Sequence, residues 1–205
     1  MIEVDGRRTI HVLNLPIVSI VAGALTMVPA AANPLQPPTV EYVAEVDMAR
    51  DTTGLELPVR HFYAGRKVRL DMIGNMFLYD LDRQQMILVM PQIRKYDGPI
   101  AFSEAIADGR RWVGVEATTA EAIGRDALLG RPVTKYKVRG FILDGHSPFE
   151  GEVWSTAENI VLRALGTAQF SAGPRPVRLT TTKLTVGPLD TRLLTVPVGY
   201  RKTGN

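Results

Sequence analysis

The stretch AGRKVRLDMIGNMFLYDLDRQQMILVM, residues 64–90, decides the fold class. After the turn signal Ala64-Gly65, the apolar residues Val68, Leu70 and Met72 alternate with Lys67, Arg69 and Asp71, which is the two-residue period of a half-buried strand. Two further apolar runs follow, Met76 to Tyr79 and Met86 to Met90, joined by the polar connection Asp80 to Gln85, in which Leu81 is the only apolar residue. Links this short serve antiparallel neighbours, whereas parallel strands need a long crossover. The stretch therefore reads as an antiparallel meander.

The same period extends outward. On the N-terminal side, Val40, Tyr42, Ala44, Val46 and Met48 alternate with Glu41, Glu45 and Asp47, and Leu55, Leu57 and Val59 alternate with Glu56 and Arg60. Strand character returns at Pro132 to Leu143, Gly151 to Ser155, Ile160 to Ala164, Val177 to Val186 and Leu193 to Val196. Between Pro99 and Gly130 the alternation loosens and predicts two short helices, one capped by Ser103 over Glu104 to Ala107, the other running from Ala120 to Leu129 after Thr119. The class is mainly β, of the α+β kind, with a curved antiparallel sheet.

The N-terminus has another character. Arg7 and Arg8 precede a charge-free run from Val12 to Ala32 that ends in Pro29-Ala30-Ala31-Ala32, the pattern of a secretory signal peptide cleaved before Asn33. A transmembrane anchor is the rival reading, but Asn14, Pro16, Ser19, Gly23 and Pro29 interrupt the run. The expected organisation is a signal peptide over 1–32, a stiff proline-rich leader over 33–38, one domain over 39–202 and a short tail over 203–205. Export implies a periplasmic address.

Composition excludes more than it selects. The 205 residues contain 45% hydrophobic and 22% charged side chains, near globular averages, with a formal net charge of +3. With no cysteine, disulfides, thiol nucleophiles and cysteine-ligated metals are excluded, as is a lipoprotein anchor. After the apolar run only His61 and His146 remain, without metal-binding spacing, and each reads as a lone histidine on a surface or in a turn. Ser147 beside His146 satisfies no nucleophile motif, and Gly124 to Gly130 is spaced wrongly for a phosphate cradle. Asp80, Asp82, Asp144, Glu150 and Glu152 fall in turns or alternate along a wet sheet face. No catalytic residue, metal ligand or cofactor emerges, so the chain reads as a non-enzyme with no nucleic-acid partner.

Four blocks carry a family resemblance: Tyr79 to Leu88 with Lys95-Tyr96, Gly130 to Val138, Gly151 to Trp154 with Arg163, and Val196 to Lys202. They resemble bacterial envelope proteins of the LolA/LolB-like superfamily and, more narrowly, its uncharacterised DUF4412-type members. The resemblance implies a half-open β-barrel with short helices covering its concave side, and a lipid-like or hydrophobic ligand held there.

Two residue sets are candidates for such a role. The even-numbered positions Tyr42, Val46, Met48, Leu70, Met72, Met76, Leu78, Met86, Leu88 and Met90 would line one continuous inward surface, in which methionine supplies an adaptable apolar wall. Lys135, Lys137 and Arg139, spaced by two, form a positive stripe suited to anionic headgroups or to a solvated face. The leading expectation is a periplasmic binding protein for a hydrophobic ligand, with an anionic membrane surface or an envelope protein as further partner. The alternative is a structural or sensory interaction module with a closed core.

Overall fold

A computed structural model describes residues 35–49, 56–101, 115–142, 148–170 and 172–204. All belong to one compact unit, Ala31–Asn205. The signal-peptide run, the helix expected at Ser103 to Ala107, Asp144, His146 and Ser147 lie outside the described residues.

Twelve strands form one sheet: β1 Tyr42–Ala49, β2 Leu57–Ala64, β3 Lys67–Met72, β4 Asn75–Asp80, β5 Gln85–Met90, β6 Lys95–Ala101, β7 Val115–Leu128, β8 Arg131–Ile142, β9 Pro148–Ser155, β10 Val161–Phe170, β11 Gly173–Val186 and β12 Arg201–Lys202. Their spatial order is β12-β6-β5-β4-β3-β2-β1-β11-β10-β9-β8-β7. Every neighbouring pair is antiparallel except β12 with β6, and the sheet is curved and unclosed, ending in β12 and β7. The meander β1–β6 joins the meander β7–β11 through the pairing of β1 with β11.

Tight turns set the register. Gly65-Arg66, Ile73-Gly74 and Leu129-Gly130 are two-residue connections in which both residues have positive φ, the geometry that matches the twist of a hairpin. Such a turn pairs even residues with odd ones, so His61 faces Leu70 and Leu70 faces Phe77. One face therefore collects Tyr42, Val46 and Met48 from β1, Tyr63 from β2, Leu70 from β3 and Phe77 from β4. From the far meander, Val138, Phe149, Val153, Leu162, Ala164 and Val177 join the same buried cluster. One apolar core thus spans both meanders, as expected of a sheet curled about its concave side.

The sequence expectation fails at three places. Ala120 to Leu128 is not helical but the second half of β7, held by a ladder from Val115↔Ile142 to Leu128↔Arg131. The helix propensity of its alanines loses to twelve-residue β8, whose Val133 and Val138 need a neighbour to cover their flank. Leu193 to Val196 is not a strand: a 3-10 helix spans Thr191–Leu194, started by the Asp190 carboxylate accepting the Arg192 backbone N–H at 3.0 Å. Leu194 docks on the convex face against Phe62 and Ala64. Among the described residues no α-helix covers the concave side, and the helical segments are this one and a single 3-10 turn, Pro91–Ile93.

Candidate functional site

The concave face brings together most of the expected lining. Tyr42, Val46, Met48, Leu70 and Met86 are buried in it, and Met72 and Leu88 are half-buried against it. Met76 and Leu78 are not part of it. Their register partners are Asp71 and Arg69, so both point to the convex face, opposite Phe77 and Tyr79. The cause is the two-residue turn Ile73-Gly74: counting only even positions ignores the parity switch that such a turn imposes. Met90 keeps the concave parity but sits at the end of β5 beside Lys95, outside the buried cluster.

His61 is the residue that sequence reasoning misplaced. It lies in mid-strand, between Ala44 and Leu70 in register, neither on the surface nor in a turn. The Tyr42 ring meets its imidazole edge-on at 5.3 Å and stacks on Tyr63 at 5.7 Å. Its Nε2 is buried without a hydrogen-bond partner among the described residues, an atom that costs stability unless something accepts from it or donates to it. Desolvation pushes the imidazole down from 6.5 to about 4, so it is neutral at physiological pH. The same burial, reinforced by Tyr63, holds the Tyr42 phenol above its ordinary range. A signal was present in the sequence: His61 shares its parity with Val59 and Tyr63, the apolar side of β2.

Two of the three cations of the positive stripe are paired, and the third stands among carboxylates. Lys135 Nζ lies 2.8 Å from Glu152, Arg139 lies 3.4 Å from Glu150, and Lys137 stands in register between Glu152 and Glu121. Lys135 also sits 4.8 Å over the Trp154 ring, with Arg163 at 5.6 Å. Trp154 Nε1–H donates to Asp126 at 3.2 Å. The stripe is therefore a solvated convex face of β7–β10 on which carboxylates alternate with the cations. Asp80 and Asp82 likewise have local duties, Asp80 accepting the Arg83 N–H and Asp82 pairing with Arg66.

On the convex side a groove of about 390 Å³ runs beside the 3-10 helix, bordered by Glu41, Lys67, Thr191 and Arg192. Glu41 already accepts the Leu189 N–H, and Arg192 is held by Asp190. Among the described residues no three His, Asp or Glu side chains converge as a metal site would require.

No protein-family model matches the chain, and no curated protein matches it. Solved structures show likeness at low identity. An uncharacterized conserved protein from Thermus thermophilus matches with a TM-score of 0.49 and 14% identity, over 80% of this chain and 90% of that one. MucB matches with a TM-score of 0.47 and 14% identity, over 80% of this chain and 59% of MucB. A putative outer membrane lipoprotein-sorting protein domain from Vibrio parahaemolyticus gives 0.33 and 9%, over 75% and 88%. At these values the likenesses assign no family, and the resemblance to LolA/LolB-like and DUF4412-type proteins rests on the sequence blocks.

Proposed function

We propose that this chain is a non-catalytic periplasmic binding protein that seats a lipid-like or otherwise hydrophobic ligand on the concave face of its sheet. The observation that carries the reading is an apolar concave surface containing a buried polar atom, His61 Nε2, with no hydrogen-bond partner among the described residues. Ligand sites have this composition: a mostly apolar lining with few polar groups that fix orientation. The half-buried Met72 and Leu88 flank this part of the surface, and thioether side chains adapt to acyl chains of different length. A chain laid there gains about 0.8 kcal/mol per methylene removed from water. The polar end of the ligand, a carboxyl, hydroxyl or amide, then meets His61. The sequence resemblance to LolA/LolB-like proteins points the same way.

A second reading has its own observation. Met48 and Met86 are closed off from solvent, as in a packed core. A protein whose whole concave face were so packed would serve as an interaction module of the envelope. Uptake of a fluorescent fatty acid separates the two readings. The native protein is expected to bind it, and Leu88→Trp to abolish binding while the unfolding transition stays cooperative. A native protein that takes up no probe overturns the binding reading.

A further inference from the structure

One end of the sheet carries apolar side chains where folding gives them nothing to do. Ile73, in the β3–β4 turn, is 72% exposed and has φ of +51°, a conformation that a β-branched residue adopts at a cost and that Asn or Gly adopts readily. Ile93, in the 3-10 turn between β5 and β6, is 58% exposed. These two connections are tied together, since Gln92 Nε2 donates to the Gly74 carbonyl at 2.6 Å. Gly74 has φ of +72°, and any Cβ there would strike that same amide. Val198, 98% exposed, belongs to the same end, because Gly199 lies against the Arg94 guanidinium and the Arg201 N–H donates to the Arg94 carbonyl at 3.1 Å.

Cations flank this apolar tip on its β6–β12 side. Lys95 stands in register between Met90 and Arg201, and Arg94, Lys95, Arg201 and Lys202 are all exposed. No Asp or Glu occurs in 73–76, 91–96 or 196–204. None of the four cations forms an ion pair with a described residue, in contrast to Lys135 and Arg139 on the far meander. Exposed apolar side chains flanked by cations that no described carboxylate pairs match one kind of surface, in which apolar acyl tails lie beneath anionic headgroups.

We propose that this end of the sheet docks on an anionic phospholipid bilayer, with Ile73, Ile93 and Val198 entering the interface and the four cations meeting phosphate groups. An apolar residue in a strained, solvent-exposed turn is then explained by what it touches outside the protein. Docking needs neither His61 nor a ligand on the concave face, so it stands or falls apart from the function proposed above.

Because the chain lacks cysteine, a single substitution gives a unique label in the full chain. Ile73→Cys and Leu129→Cys are each coupled to an environment-sensitive nitrobenzoxadiazole dye and mixed with vesicles of phosphatidylethanolamine and phosphatidylglycerol, or of phosphatidylcholine alone. Leu129 is the control, an exposed apolar residue with φ of +53° in a turn at the opposite edge of the sheet. The dye at 73 is expected to shift to the blue and to be quenched by bromine-labelled acyl chains in the anionic vesicles only, and the dye at 129 to do neither. With the dye moved to Val198→Cys, Ile73→Asn combined with Ile93→Asn should weaken the response about tenfold, since each isoleucine loses its apolar transfer. Arg94→Gln with Lys95→Gln should weaken it by about fivefold per charge. The triple change Lys135→Gln, Lys137→Gln and Arg139→Gln should leave it as it was. Ile73→Asn relieves the turn, so its unfolding temperature should hold or rise, which separates lost docking from lost folding. Equal responses at 73 and 129, or a Val198 signal indifferent to the isoleucine changes, would overturn the proposal. So would sedimentation showing, without vesicles, an oligomer that Ile73→Asn dissociates, since the tip would then bind a second copy.

Discussion

The two meanders build the same concave face from different mixtures of side chains. β1–β6 uses short strands of six to eight residues and puts bulky groups on the concave face: Tyr42, Met48, Tyr63, Phe77 and Met86. In β7–β11 the strands reach fourteen residues, and the same face interleaves Ala117, Ala120, Gly151, Ala164, Gly166 and Ala168 with Val138, Phe149, Val153, Leu162 and Val177. Gly151 and Gly166 are direct register partners, and the Phe149 ring covers both. The small residues of the far meander leave room for the large ones packed beside them, as the Phe149 ring over the glycine pair shows. The bulky wall also holds His61 and the half-buried methionine, which is why the candidate site belongs to β1–β6.

The largest effect expected from this contrast lies at the glycine pair. A Cβ at Gly166 would run into the Glu150 carbonyl and, at 2.6 Å, the Phe149 ring, while one at Gly151 would meet the Leu165 carbonyl and Gly166 Cα. Backbone is the obstacle in both cases and cannot swing aside. Gly166→Val or Gly151→Val is therefore expected to cost about 4 kcal/mol or more, read from urea unfolding, at the upper end of single-residue effects. Gly65→Ala, where the added Cβ meets nothing, should cost only the strain of a positive φ, about 1 kcal/mol. Equal losses at the two sites would break the steric account of the small-residue wall.

Much of this was legible in the sequence, and the failures have specific causes. Alternation at Val68-Leu70-Met72 and the Ala64-Gly65 signal located β2–β4 because both faces and the turn agree locally. Ala120 to Leu128 misled because its alanines favour helix intrinsically, while the reason for extension lies in β8. β6 carries no clean alternation, since a bulge shifts its register and Gly98-Pro99 interrupts it, so Lys95–Ala101 was invisible as a strand. Within single strands the even positions share one face as the alternation implies, whereas Met76 and Leu78 lie on the opposite one, because the Ile73-Gly74 turn reverses parity. The charge stripe was correctly placed on one face, but Glu150 and Glu152, its partners on β9, are distant in sequence.

An intermediate effect tests the bulky wall through pH. The unfolded chain takes up a proton on His61 below 6.5, whereas the folded chain refuses it until about 4. Stability is thus whole above 6.5 and falls as pH drops from 6.5 to 4, by up to about 3 kcal/mol from this group. Urea unfolding of His61→Leu should show a shallower acid loss than the native chain across that window. Parallel curves would mean that the imidazole is solvated, sharpening the contrast against the β1–β6 wall.

The smallest effect belongs to the far meander's outer face. Lys135→Gln removes one partly exposed ion pair and one of two cations over Trp154, and should lower stability by about 1 kcal/mol or less. Thermal unfolding at low and high salt reads it, and the difference should shrink with salt. A larger loss would make Trp154 a keystone of that meander.

The central claim is that the concave face of β1–β6 holds an apolar molecule with a polar end at His61. Mass spectrometry of an organic extract from the natively purified full chain tests it most directly, with Leu88→Trp prepared in parallel. The account predicts a lipid-like species retained by the native protein and absent from the tryptophan variant. The same species in both extracts, or none in either alongside no fatty-acid uptake, would contradict it.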